Sequence, residues 1–196
     1  MIAALCLFML LAAGDAWQVS HHRNDQVGSI QPPTQTDFGD WGQAEYCNDG
    51  SYAYGFKMNV GHTNSDDDTG VNGVVLFCKP TKPDENAQIA SMYKMWGKWH
   101  PVLECPGDST YLTGVSIKSQ PKQGFRTDDT AANKFQFTCK DGTKLKGVGG
   151  PHGEWGNQVN CPSNSAICGI KTQVENYQKY GDNTALNGAI FYCCST

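Results

Sequence analysis

Residues 128–139 read Asp-Asp-Thr-Ala-Ala-Asn-Lys-Phe-Gln-Phe-Thr-Cys, and two structural signals meet in this stretch. The first half is turn chemistry, Asp-Asp-Thr-x-x-Asn, whose short polar side chains bond nearby backbone groups. In the second half Phe135, Phe137 and Cys139 alternate with Gln136 and Thr138, the period of a strand with one buried face.

The same turn-then-strand pattern occurs twice more. Asp67-Asp68-Thr69-x-x-Asn72 leads to Cys78, and Asp182-Asn183-Thr184-x-x-Asn187 leads to Cys193. Upstream of each lies a second alternating run. These are Gly55-Phe56-Lys57-Met58-Asn59-Val60, Gly114-Val115-Ser116-Ile117-Lys118-Ser119 and Gly169-Ile170-Lys171-Thr172-Gln173-Val174. Period two predicts Phe56, Met58 and Val60 inward, with Lys57 and Asn59 facing water. In copies one and three the closing strand is apolar at both parities, as in Ala189-Ile190-Phe191-Tyr192, which predicts cover on both sides. Each copy opens on Gly-x-Trp-x5-Cys: Gly39, Trp41 and Cys47, then Gly97, Trp99 and Cys105, then Gly153, Trp155 and Cys161.

Three copies define one domain over residues 38–196, made of units 38–95, 96–152 and 153–196. A unit of this size is too small to bury a stable core alone. Three sheets burying their apolar faces around a pseudo-threefold axis would solve that, and each unit's Trp is expected to wall that core. Helical periodicity is absent; residues 84–92 are expected to be a loop with at most one turn. Composition agrees with an all-β chain: 22 glycines, 11% aromatic and 17% charged residues in 196.

The nine cysteines are an odd count. Residues 1–13 (MIAALCLFMLLAA) form an apolar run too short to span a bilayer, and Gly14 and Ala16 follow it. That is the pattern of a signal peptide over 1–16, whose removal takes Cys6 and leaves an even set. A polar stretch over 17–37, with Pro32-Pro33, is expected to be a flexible leader; its His21-His22 pair cannot complete a metal site by itself. Repeat symmetry pairs Cys47 with Cys78, Cys105 with Cys139 and Cys161 with Cys193, leaving Cys168 for Cys194. Cys193 and Cys194 point to opposite faces of a regular strand, and an exchange of their partners is the alternative. Loops near 30 residues make each bridge worth roughly 3–4 kcal/mol. No Cys-x2-4-Cys spacing suggests zinc. No second apolar stretch suggests a membrane anchor, and a net charge of −4 offers no basic field for nucleic acid.

These motifs resemble the vitelline membrane outer layer protein 1 family. The resemblance covers residues 38–194 and rests on the three Asp-[Asp/Asn]-Thr-x-x-Asn-x5-Cys signatures, Trp96 to Trp99, and the terminal Phe191-Tyr192-Cys193-Cys194. It implies a type I β-prism of three Greek-key sheets, and a secreted protein of an egg coat or another secretion. It brings no catalytic residues. Asn183 for the second Asp, and Gly70-Val71 where copy two has Ala131-Ala132, depart from the pattern.

The repeated polar residues admit three readings. A turn motif comes first, because a structural need recurs with the symmetry. Glycan binding is second: Asp67, Asp68, Asn72, Asp128, Asp129, Asn133, Asp182 and Asn187 would bond sugar hydroxyls beside an aromatic wall. Calcium on Asp66-Asp67-Asp68 is third. For catalysis, Glu45, Glu104, Glu154 and Glu175 are the carboxylates near unit openings and strand ends. No Gly-x-Ser-x-Gly is present, and His62, His100 and His152 sit in loops. The leading expectation is a structural component of an extracellular coat, with matrix or egg-coat components and glycans as partners, and neither nucleic acid nor membrane. A lectin-like module is the alternative, and an enzyme acting on chitin-type oligosaccharides the second. No catalytic residue, cofactor or metal is assigned.

Overall fold

The computed structural model describes residues 22–34, 36–61, 69–81, 88–108, 110–124, 129–179 and 183–196. The expected signal peptide and the Asp66-Asp67-Asp68 triple lie outside them. In chain order the strands are β1 Gln26–Ile30, β2 Asp40–Trp41, β3 Glu45–Tyr46, β4 Ala53–Val60, β5 Val71–Cys78, β6 Gln88–Ile89, β7 Lys98–Trp99 and β8 Leu103–Glu104. They continue with β9 Leu112–Ser119, β10 Ala132–Cys139, β11 Lys144–Lys146, β12 Glu154–Trp155, β13 Val159–Asn160, β14 Ser165–Val174 and β15 Leu186–Ser195. Among the described residues no helix is long and apolar enough to cross a membrane.

Three long hairpins organise the fold: β4–β5, β9–β10 and β14–β15. Each becomes a five-stranded antiparallel sheet by adding an edge strand to its second member and a Gly-x-Trp segment to its first. The first sheet is β6-β5-β4-β7 with β8 beside β4, and the second is β11-β10-β9-β12 with β13 beside β9. The third is β1-β15-β14-β2, with β3 beside β14. Strands β4, β9 and β14 pack against one another across the axis. The result is the expected all-β prism.

The sheets are offset from the sequence copies. Each Gly-x-Trp segment completes the sheet of the preceding unit, and the first one, β2 and β3, completes the last. Glycine is required at the entry to each. Gly39, Gly97 and Gly153 have φ of +85°, +89° and +78°. A Cβ there would lie 2.3, 2.1 and 2.2 Å from the backbone oxygen of Val174, Val60 and Ser119.

Four rings form the centre of the core. Phe137 lies 4.5 Å from Phe56, 5.2 Å from Phe191 and 6.1 Å from Phe135, centroid to centroid. Phe56, Met58 and Val60 are buried as alternation predicts. Two expectations fail here. The tryptophans do not wall the core: Trp41 and Trp99 are half-buried and Trp155 exposed, all on outer faces, because each sits on a short edge segment. Asn59 does not face water. It is buried, and its amide donates to the Lys94 carbonyl at 3.2 Å.

The expected leader is also partly ordered. Gly28, Ser29 and Ile30 of β1 pair with Cys193, Tyr192 and Phe191, and Ile30 is buried. Arg23 anchors the start. It is buried, its guanidinium bonds Asp25 at 2.9 and 2.5 Å, and it donates to the Asn48 and Ser51 carbonyls. An unpaired edge on β15 is thereby covered, which local polarity and Pro32-Pro33 did not reveal. Tyr46 completes this closure, its hydroxyl donating to Gln26 Oε1 at 3.0 Å. Burial, then neighbouring Tyr192, pushes the Tyr46 phenol up to about 12. A raised folded-state pKa adds stability that is full below the ordinary value of 10 and is lost as pH rises through 12. An absorbance titration at alkaline pH should show Tyr46 ionising late, with Tyr54, raised by burial and by Glu104, also above the ordinary value, and melting temperature falling across that window. Ionisation of every tyrosine near the ordinary value would contradict it.

All four disulfides pair as repeat symmetry predicts: Cys47–Cys78, Cys105–Cys139, Cys161–Cys193 and Cys168–Cys194, with Cα separations of 5.7, 5.8, 5.7 and 5.7 Å. A bulge resolves the neighbouring cysteines. The β14–β15 register skips Cys168 between Ile167 and Gly169, and the other hairpins skip Tyr54 and Thr113 at the same place. The bulged residue is re-aimed, and copy three uses it for an extra bridge.

Candidate functional site

The signature turns sit at a second repeated bulge. The registers skip Asn72, Asn133 and Asn187, so each signature Asn is the unpaired residue of its hairpin. All three are fully buried. Their amides donate to Oγ1 of Thr69, Thr130 and Thr184 at 2.9, 2.7 and 2.8 Å. Thr130 Oγ1 in turn donates to Gln120 Oε1, and Thr184 Oγ1 to Glu175 Oε2, each at 2.6 Å. Asp129 accepts the Gln123 N–H at 2.7 Å, as Asn183 accepts that of Gln178 at 2.8 Å. Ala131 and Ala185 adopt positive φ, 42° and 56°, inside these turns. Gly70 replaces them in copy one, where a Cβ would lie 2.4 Å from the Thr130 oxygen and 2.3 Å from that of Ala132. Adjacent turns therefore pack on each other.

Of the eight residues of the expected glycan site, Asn72, Asn133, Asn187 and Asp129 are buried within their own turns. Asp67, Asp68, Asp128 and Asp182 lie outside the described residues. Among the described residues no group of acidic, His or Cys side chains is arranged to hold a metal ion. Asn133→Ala is expected to lower stability by about 1–3 kcal/mol, since Thr130 and the bulge lose their donor. Urea unfolding measures this, and a loss below about 0.5 kcal/mol would show the bulge does not need the amide.

The carboxylates weighed for catalysis, none of them assigned to it, are scattered. Glu45, Glu104 and Glu154 are exposed, on the third, first and second sheets. Glu175 is spent on Thr184, whose N–H and hydroxyl both donate to Oε2. His100 borders a cleft between the first and second sheets, His152 is exposed, and His62 is outside the described residues.

Each sheet carries a lysine over an indole, from equivalent positions of β4 and β14 on the first and third sheets and from β11 on the second. Lys57 Nζ lies 5.2 Å from the Trp99 ring, Lys146 Nζ 5.6 Å from Trp155, and Lys171 Nζ 5.8 Å from Trp41. On the first sheet this pair lines a cleft of about 270 Å3 with Tyr93, Met95, Ile89 and Val75. Tyr93 meets Trp99 edge-on at 5.6 Å, and 41% of its surface is exposed. The Tyr93 backbone is held because residues 91–94 strap the first sheet to the third. Ser91 Oγ donates to the Gln43 carbonyl at 2.6 Å, Thr172 N–H donates to Ser91 Oγ at 3.1 Å, and Lys94 N–H donates to the Asn72 carbonyl at 2.8 Å. Sequence reasoning missed this cleft. Its one signal was the glycine pair under the strap: a Cβ on Gly42 or Gly73 would lie 2.7 Å or 2.6 Å from the Cβ of Met92 or Tyr93.

Residues 29–196 match the family model described as vitelline membrane outer layer protein I. The vitelline membrane outer layer protein 1 homologs of Mus musculus and Homo sapiens are each 34% identical to the chain. The mouse match covers 98% of this chain and 96% of that protein, and the human match 96% and 93%. Among solved structures, Calystegia sepium agglutinin superposes with a TM-score of 0.57 over 87% of this chain and 98% of its own, at 11% identity. At that identity the likeness establishes the β-prism fold.

Proposed function

Because the chain belongs to the vitelline membrane outer layer protein I family, we propose that it is a rigid structural component of an egg coat or another extracellular secretion. The observation that carries this reading is the set of four disulfides, one within each repeat and a fourth in the last. Such bridges persist in oxidising compartments and are rare in the cytosol. Coat or mucus material from the source tissue, mixed with the purified disulfide-intact chain, is expected to sediment it and to retain it through a physiological-salt wash. Full recovery in the supernatant would overturn the proposal.

A second reading is glycan binding, supported by the first-sheet cleft rather than by the signature turns. Tyr93 and Trp99 offer flat apolar walls to a sugar ring, and Lys57 a donor to its hydroxyls. Titration with chitin-type and mannose oligosaccharides should change Trp fluorescence, and Trp99→Ala should abolish the response. Absence of any response at millimolar sugar would remove this reading.

A further inference from the structure

The outer face of the second sheet differs in charge from the other two. Register sets Lys118 opposite Lys134, Lys146 opposite Gln136 and Lys144 opposite Thr138. Since residues directly opposite share a face, as do alternate residues along a strand, all four lysines lie on one side. Trp155, opposite Lys118, is on that side too, beneath Lys146. Burial and the adjacent Lys118 and Lys146 lower the Lys134 pKa, which places the three ammonium groups within each other's field. Among the described residues the ion pairs involve Arg23 and Lys79, and none of these four lysines. Asp141, in the adjoining turn, accepts from Thr143 N–H and Oγ1 at 2.9 and 3.0 Å and makes no ion pair with these lysines.

The symmetry makes this informative. On the first sheet the equivalent strands carry one outward lysine, Lys57, beside Val75 and Phe77. On the third they carry Lys171 beside Ile190 and Tyr192. A requirement of the fold would recur in all three sheets, and this one does not. Nor does it follow from composition, since the chain as a whole is acidic, at −4. Like charges gathered on one sheet face repel each other, and an anionic partner would relieve that repulsion.

We propose that the outer face of the second sheet docks an anionic polysaccharide, Lys118, Lys134, Lys144 and Lys146 meeting its sulfate or carboxylate groups and Trp155 the face of a sugar ring. A polysaccharide is favoured over nucleic acid because the disulfide-locked chain belongs to an oxidising, extracellular setting. Only that setting is taken from the proposed function; a coat component that ignores polyanions would leave the coat reading intact.

The test uses the full secreted chain with disulfides intact. Heparin and dextran sulfate are the probes, against neutral dextran, single-stranded DNA and phosphatidylserine vesicles. Heparin and dextran sulfate should bind and neutral dextran should not, with affinity falling on the order of tenfold or more between 50 and 200 mM salt. The Lys134→Gln/Lys144→Gln/Lys146→Gln variant should lose about tenfold at low salt. A charge-matched control, Lys98→Gln/Lys122→Gln/Lys179→Gln, should stay within about twofold. If the triple variant misfolds by its melting temperature, Lys144→Glu alone, on an exposed position of β11, should weaken binding. No heparin binding, an equal loss in the control, or equally tight binding of DNA or vesicles would each overturn the proposal.

Discussion

Complete reduction of the disulfides is expected to unfold the protein at room temperature. The bridges close sequence separations of 31, 34, 32 and 26 residues. In the chain-entropy model each such closure contributes about 3.5–4 kcal/mol. Four together match or exceed the roughly 5–15 kcal/mol by which whole domains are stable. The sheets cannot make up the deficit, because each is half a sandwich with one face in water and depends on the other two for its core. Loss of the β-sheet circular dichroism signal and digestion by protease within minutes are the expected results. Removing one bridge, as in Cys105→Ser/Cys139→Ser, should lower stability by about 3–4 kcal/mol and leave a cooperative transition. A fully reduced chain with an unchanged melting temperature would show that packing alone holds the prism.

The second large effect is expected at Phe137. Its ring is fully buried and touches the rings of Phe56, Phe135 and Phe191, which come from all three sheets. Phe137→Ala opens a cavity where the three faces meet around one side chain, and should cost about 3–5 kcal/mol. Phe137→Leu keeps most of the volume and should cost about 1–1.5 kcal/mol. Trp99→Ala, by contrast, removes a half-exposed ring from an outer face and should cost less than Phe137→Ala despite deleting more atoms. Urea midpoints under non-reducing conditions measure all three. A Trp99 loss larger than the Phe137 loss would place the structural centre outside the prism.

Much of this fold was legible in local pattern. Alternation at Phe135 and Phe137, or at Phe56 and Met58, states which face is buried, because the period of a strand does not depend on what packs against it. Repetition then supplied the sheet number and the cysteine pairs. What local pattern could not show was exchange between units. Trp41 carries the same signature as Trp99 and Trp155, yet its sheet partner Gln173 is supplied by the far end of the chain. The polar β1 looks like a tail until β15 is seen to lack an edge partner. The signature residues left two readings open for a related reason. Asn and Asp suit both sugars and turns, and only the bulge at Asn133, with its amide turned onto Thr130, decides between them. The basic face was invisible because Lys118, Lys134, Lys144 and Lys146 come from three strands and form no run.

The third sheet is made of residues from both ends of the chain, β1 to β3 and β14 to β15. During synthesis the ribosome delivers β1, β2 and β3 first, and their partner strands last. The first two sheets and their bridges are able to close while the nascent chain is still growing. The third must hold its early strands open until the final hairpin emerges, and then takes all of them at once. Joining of the early strands to the last hairpin is thus expected to come last, and a chain that stops before β15 is expected to leave β1 to β3 without their sheet.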